Sequence, residues 1–167
     1  MNTKQFAYMK QRLLNRDDSL DSYGNNAVAQ VLFSGELREK GLARLDRLAH
    51  WFELPHPTMP GRDLKGECDF VAHKLVRACW SFEELLPAKT RDAIHTFFTK
   101  WDFSSKYCSE NHIMLLHEAR YLYALKYPDT WFEQYHLTTA EAIEQDRTYL
   151  QEFIRFRAQR GWAEFDS

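Results

Sequence analysis

Three of the chain's five prolines fall between residues 55 and 60, in Leu54-Pro55-His56-Pro57-Thr58-Met59-Pro60-Gly61. No regular helix runs through such a segment, because each proline removes a backbone donor and restricts the residue before it. Helical periodicity dominates on both sides of this break, and strand signals are scarce. Before it, a first helix is expected over about residues 3 to 15, with Phe6, Met9 and Leu13 or Leu14 on one face. Asp17, Asp18, Ser19 and Asp21 form a polar connection. A second helical region covers about residues 25 to 52, where Leu37, Leu42, Leu45, Leu48 and Trp51–Phe52 recur at helical spacing, with Gly35 and Gly41 as weak points.

After the break, a third helix should start near Glu67 and carry Phe70, Leu75, Val76 and Trp80 inward. Pro87 suits the first turn of a fourth, which holds Ile94, Phe97, Phe98 and Trp101. A fifth runs from Glu110 to about Lys126 and stops before Pro128, since a proline restricts the residue ahead of it. Thr138-x-x-Glu141 resembles a capping box opening the last helix, whose apolar face includes Ile143, Tyr149, Leu150, Phe153 and Ile154. The expected fold is all-α, a single domain over residues 1–167 built from antiparallel helical hairpins. The end, Gly161-Trp162-Ala163-Glu164-Phe165-Asp166-Ser167, reads as a loop entering a further element, so the chain is expected to be part of a larger domain.

Composition narrows the function classes. Lys and Arg number 22 against 24 Asp and Glu. This balance gives no support for nucleic-acid binding, which usually shows as a basic excess on one face. No run approaches the ~18 apolar residues of a membrane span, and the N-terminus lacks the apolar core of a signal peptide. The expected location is cytoplasmic, or secreted or periplasmic if the segment was cut from behind a signal. Cys68, Cys79 and Cys108 make neither a zinc pattern nor a disulfide framework and read as reduced thiols. His117-Glu118 lacks the spacing that sets two imidazoles on one helix face, so no metal is expected. The glycines are scattered and form no phosphate-cradling loop, and no cofactor is implied.

Chemistry is suggested at one place, Ser109-Glu110-Asn111-His112. Ser109 can cap the fifth helix and leave Glu110, Asn111 and His112 in its first turn, where outward-facing N–H groups attract anions. An amide and an imidazole there can hold a carboxylate. Glu110 is also the first-turn acid that a helix dipole favours.

This stretch, with Tyr121-Leu122, Pro128-Asp129 and Arg160-Gly161-Trp162-Ala163-Glu164-Phe165-Asp166-Ser167, resembles the (α/α) toroid domain of alginate-lyase-like and heparinase-like polysaccharide lyases and related uncharacterised bacterial proteins. The resemblance covers roughly the second half of the chain. It implies an active-site Asn-His pair at Asn111 and His112 and a downstream Arg at Arg160. The Tyr that the family places after that Arg has no counterpart before Ser167, and Glu110 stands where a neutral residue is expected.

A uronate lyase removes the proton next to a carboxylate and expels the glycosidic oxygen. Neutralising the carboxylate stabilises the developing enolate. Asn111 can donate from its amide, and His112 can donate or act as base. Trp101, Tyr107 and Trp162 offer aromatic faces for sugar rings. The implied partner is an acidic polysaccharide or oligosaccharide, bound or cleaved by β-elimination. The competing readings are a glycoside hydrolase on the same scaffold, which needs two facing carboxylates, and a non-catalytic helical domain that binds carbohydrate or protein. An incomplete helical face could also drive self-association.

Overall fold

The computed structural model describes residues 3–15, 26–54, 68–100 and 110–161. Among them the chain is all-α apart from one two-stranded ribbon. The helices are α1 (Thr3–Asn15), α2 (Ala27–Val31), α3 (Glu36–Ala49), α4 (Asp69–Phe82), α5 (Ala88–Lys100), α6 (Glu110–Lys126) and α7 (Thr139–Arg160). The ribbon pairs β1 (Trp131–Phe132) with β2 (Leu137–Thr138), antiparallel, between α6 and α7. Short 3₁₀ turns at Trp51–Glu53, Glu83–Leu85 and Glu133–Tyr135 complete the connections.

Local chemistry sets the boundaries. The second helical region breaks at Gly35, whose φ of 62° suits a residue without a Cβ. Gly41 has a different role. A Cβ built there would lie 2.8 Å from the carbonyl oxygen of Ala27 and from Val31, so the missing side chain lets α3 cross α2 in close contact. The carbonyl of Pro87 accepts from Thr90 and Arg91 as α5 begins. At α7 the Thr138–Glu141 capping box forms in both directions, satisfying two backbone donors that would otherwise face water alone.

The neighbouring helices α4 and α6 run parallel rather than antiparallel. Along α4 and α6, Asp69 meets His112, Trp80 donates to the Leu122 carbonyl, and Glu83 meets Lys126 and Tyr127. The contacts climb both helices in one direction. The end of α3 meets the start of α5, where Asp46 binds Lys89 and Thr90, and Phe52, just beyond α3, packs on Phe97. The antiparallel hairpin expected from sequence is present in α6–α7, where Arg120 reaches Asp146 and His117 stacks on Tyr149.

The core gathers Leu45, Leu48, Leu75, Val76, Phe82, Ile94, Phe97, Phe98 and Phe132, each worth about 1.5–3 kcal/mol when fully withdrawn from water. Tyr123 lies flat against Phe98, 4.2 Å between ring centroids, with its hydroxyl 2.9 Å from Nδ1 of His95. Trp80 departs from the expected inward face. Its ring is half exposed, and the indole N–H reaches the Leu122 carbonyl while Lys126 lies over the ring. Phe6, Met9 and Ile154 are likewise exposed rather than buried.

Replacing Gly41 by Ala must push α2 away, since the obstruction includes backbone. The expected loss is about 1–3 kcal/mol, measured by urea denaturation. A second outcome concerns acid. Hydrogen bonding from Tyr127, then from Lys126, holds the Glu83 carboxyl below its ordinary 4.5 against the opposing effect of burial. A depressed acid lends stability in full above its ordinary value and loses it as the pH falls through the folded value. Glu83→Gln should therefore be less stable than the parent at neutral pH, by under about 1 kcal/mol because the pair is partly exposed. The difference should close as the pH drops below 4.5, followed by denaturation at several pH values.

Candidate functional site

The first turn of α6 lies beside the first turn of α4. His112 is mostly buried, and its Nδ1 is 2.9 Å from Oδ1 of Asp69, a fully buried carboxylate at the first position of α4. A buried Asp needs a partner to offset its desolvation, and the start of a helix is also where its dipole favours negative charge. The contact is close but off the line of a hydrogen bond. Phe70 meets the imidazole edge-on at 5.2 Å and fixes its plane. One turn along the same seam, Nδ1 of His73 lies 3.6 Å from Oε2 of Glu118.

The other sequence-nominated residues are distributed as follows. Glu110 and Asn111 occupy the first two positions of α6, with their side chains outside the described part of the structure. Ser109, Trp101, Tyr107 and Trp162 lie outside the described residues. Arg160 ends α7, exposed, with its guanidinium 4.8 Å from the Phe156 ring centroid. Pairing of Arg120 with Asp146 and of His117 with Tyr149 sets His112 level with Ile154. Arg160 therefore lies at the same end of the bundle as His112, but about 9 Å farther along the helix axis at 1.5 Å per residue.

Sequence reasoning did not single out the partner Asp69, which occupies the first position of α4. It also missed a second His–Asp pair on the opposite side of α6. Asp146, fully buried in α7, accepts from Nδ1 of His117 at 2.7 Å and from Arg120 at 2.8 Å and 2.6 Å. Arg120 also binds Gln145 and lies 4.5 Å over the Tyr135 ring. His117 and His112, five positions apart, thus face different helices. His117 is clamped within a charge-balanced cluster, whereas His112 stands at the mouth of the α4–α6 seam.

Among the described residues no group of His, Cys, Asp or Glu side chains is placed to hold a metal ion. No helix among them is long and apolar enough to cross a membrane. Cys68 and Cys79 are both buried. Burial pushes the Cys79 thiol up to about 11, far from a thiolate nucleophile at neutral pH.

Arg120 should be the more costly residue to remove. Arg120→Ala leaves Asp146 buried without its counter-charge, and the expected loss is about 3–5 kcal/mol. Double-mutant cycles with Asp146→Asn should show strong coupling between the two positions.

Comparison with protein-family models, with characterised proteins and with solved structures finds no match to this chain.

Proposed function

We propose that this chain forms part of an (α/α) toroid that binds an acidic saccharide at the end where α4 and α6 begin and α7 finishes, and cleaves it by β-elimination. The observation that carries the reading is His112, in the first turn of α6, set against buried Asp69. The parallel pair α4–α6 supports the architecture. In a toroid, every second helix returns to the same layer in the same direction.

Roles follow from the chemistry of each group. With Nδ1 turned to Asp69, the base function falls to Nε2; Asp69 stabilises the imidazolium formed when His112 takes the proton, and the imidazolium returns that proton to the glycosidic oxygen as its bond to the ring breaks. Hydrogen bonds in an unliganded site are often poorly aligned and tighten in the complex, so the off-line Asp69 contact is compatible with this role. A negatively charged partner makes His112 a weak anchor for the substrate carboxylate. That task goes to the Asn111 amide and the first-turn N–H groups of α6, whose dipole opposes the charge that builds on the enolate.

The test is incubation of the protein with uronate polymers, following ultraviolet absorbance of the unsaturated product. His112→Gln keeps a polar group against Asp69 and removes the base. It should lower turnover by about 10²-fold or more with the fold intact by circular dichroism. Undiminished turnover in that variant would overturn the assignment. Saccharide binding with no product would leave a non-catalytic carbohydrate-binding domain.

A further inference from the structure

Most exposed aromatic residues of this molecule carry a cation of its own. Arg12 lies over Tyr8, Lys126 over Trp80, and Arg157 and Arg160 over Phe156. Phe6 packs on Phe33 instead. Trp131 has neither kind of cover. It is half exposed, and among the described residues its one ring neighbour is His136, 6.5 Å away and tilted by 54°. Of the aromatic side chains, an indole attracts a cation to its face most strongly.

The ribbon after α6 fixes the place of this ring. Successive strand residues point to opposite faces. Phe132 is fully buried, and Trp131 shares the outer face with its cross-strand partner Thr138. Thr139 exchanges hydrogen bonds with Thr130 beside it, so the backbone that carries the indole is anchored. Thr138 donates to Oε2 of Glu141 through its N–H at 2.8 Å and its hydroxyl at 2.7 Å. These bonds hold the Glu141 carboxyl below its ordinary 4.5, so it is charged at neutral pH. Residues 128–141 hold three carboxylates, Asp129, Glu133 and Glu141, and no lysine or arginine. Lys100 of α5 lies 4.0 Å from Glu133, and Arg120, over Tyr135, is committed to Asp146.

His136 closes the turn with φ 53° and ψ 42°, and no other non-glycine residue among those described has a positive φ. Glycine would hold the same turn with less strain. The imidazole is exposed, and among the described residues it makes no hydrogen bond; the strain secures no contact inside the protein beyond the edge of Trp131. An open indole face, an imidazole beside it and a surrounding excess of carboxylates match a cation brought from outside. We propose that the β1–β2 ribbon docks a basic segment of a partner protein, which lays a lysine or arginine side chain on Trp131 and donates a hydrogen bond to His136. The acids of the ribbon steer that segment in. The site lies at the end of α6 opposite His112, about 20 Å away at 1.5 Å per residue, and is independent of the acidic-saccharide reading.

The probe is a labelled lysine hexapeptide, titrated into the whole chain and followed by fluorescence anisotropy. The indole N–H signals in the nuclear magnetic resonance spectrum of isotope-labelled protein report where it binds. Trp131→Leu keeps an apolar side chain and every charge, so general attraction between acidic protein and basic peptide is unaltered. It should weaken binding about two- to fivefold, as expected for an exposed cation–π contact. It also identifies the Trp131 signal, which should shift when the parent is titrated. His136→Gly should raise the thermal midpoint by relieving the turn and yet weaken the peptide, a pairing that a purely structural residue does not give. His136→Asn, which tolerates the left-handed conformation and keeps a polar acceptor, should bind more tightly than His136→Gly. The ε-acetylated hexapeptide should leave the Trp131 signal in place. Equal affinity in parent and Trp131→Leu, or no binding to the parent, overturns the site. Undiminished binding by His136→Gly overturns the role of His136. A Trp131 signal that responds as strongly to the acetylated peptide or to a neutral gluco-oligosaccharide overturns the cationic partner.

Discussion

The buried carboxylate of Asp146 and the two side chains of α6 that reach it, Arg120 and His117, hold the second half of the molecule together. Transfer of a carboxylate out of water is costly enough that it occurs only with partners in good geometry. Here the partners come from a different helix, so the cost can be met in one register of α6 against α7. That register carries consequences at both ends of the hairpin. At the near end, Thr139 exchanges hydrogen bonds with Thr130 and closes the β1–β2 ribbon. At the far end, it fixes how far α7 extends past the start of α6.

Helix α6 is held on two sides. Toward α4 it presents His112, Glu118, the Leu122 carbonyl and Lys126, and toward α7 it presents His117 and Arg120. A helix packed against two neighbours has no single apolar stripe, because polar ties are shared between its faces. This explains why its pattern, unlike those of α3 and α4, says where it begins and ends but not which way it faces.

What could be read from the sequence was mainly local. The capping box at Thr138, the break at Gly35, the start after Pro87 and the stop before Pro128 depend on residues within a turn of one another. The apolar periodicity of Leu45 and Leu48, or of Leu75 and Val76, likewise reports burial directly. The pairings that decide orientation are different in kind. Asp146 sits in Glu144-Gln145-Asp146-Arg147, which reads as a solvated helix surface, and only its distance from Arg120 in the fold reveals otherwise. Asp69 has the same disguise, since an acid in a first turn needs no further explanation. Trp80 failed for the opposite reason. Its size suggested the core, but an indole with one polar edge can cover a helix seam and reach a carbonyl while its face stays open.

The two His–Asp pairs illustrate why a sequence motif of His and acid says little about role. Around Asp146 a guanidinium already balances the carboxylate, so the hydrogen bond from His117 completes a neutral, closed cluster, and the imidazole becomes a stacking element for Tyr149. At Asp69 the described cation-capable neighbour is His112 itself, and the pair stands where two helices begin. A histidine in the first arrangement spends its polarity inside the protein. In the second, it is set against a buried carboxylate at the end of the bundle, where two helices begin. The difference arises from position in the fold: α6 turns one histidine toward the middle of α7 and the other toward the start of α4. Arginine-bearing α7 then overshoots on that same side, because the register set at Asp146 leaves its last turns beyond the level of His112. A structural clamp in the interior thereby places the polar groups at the end of the bundle.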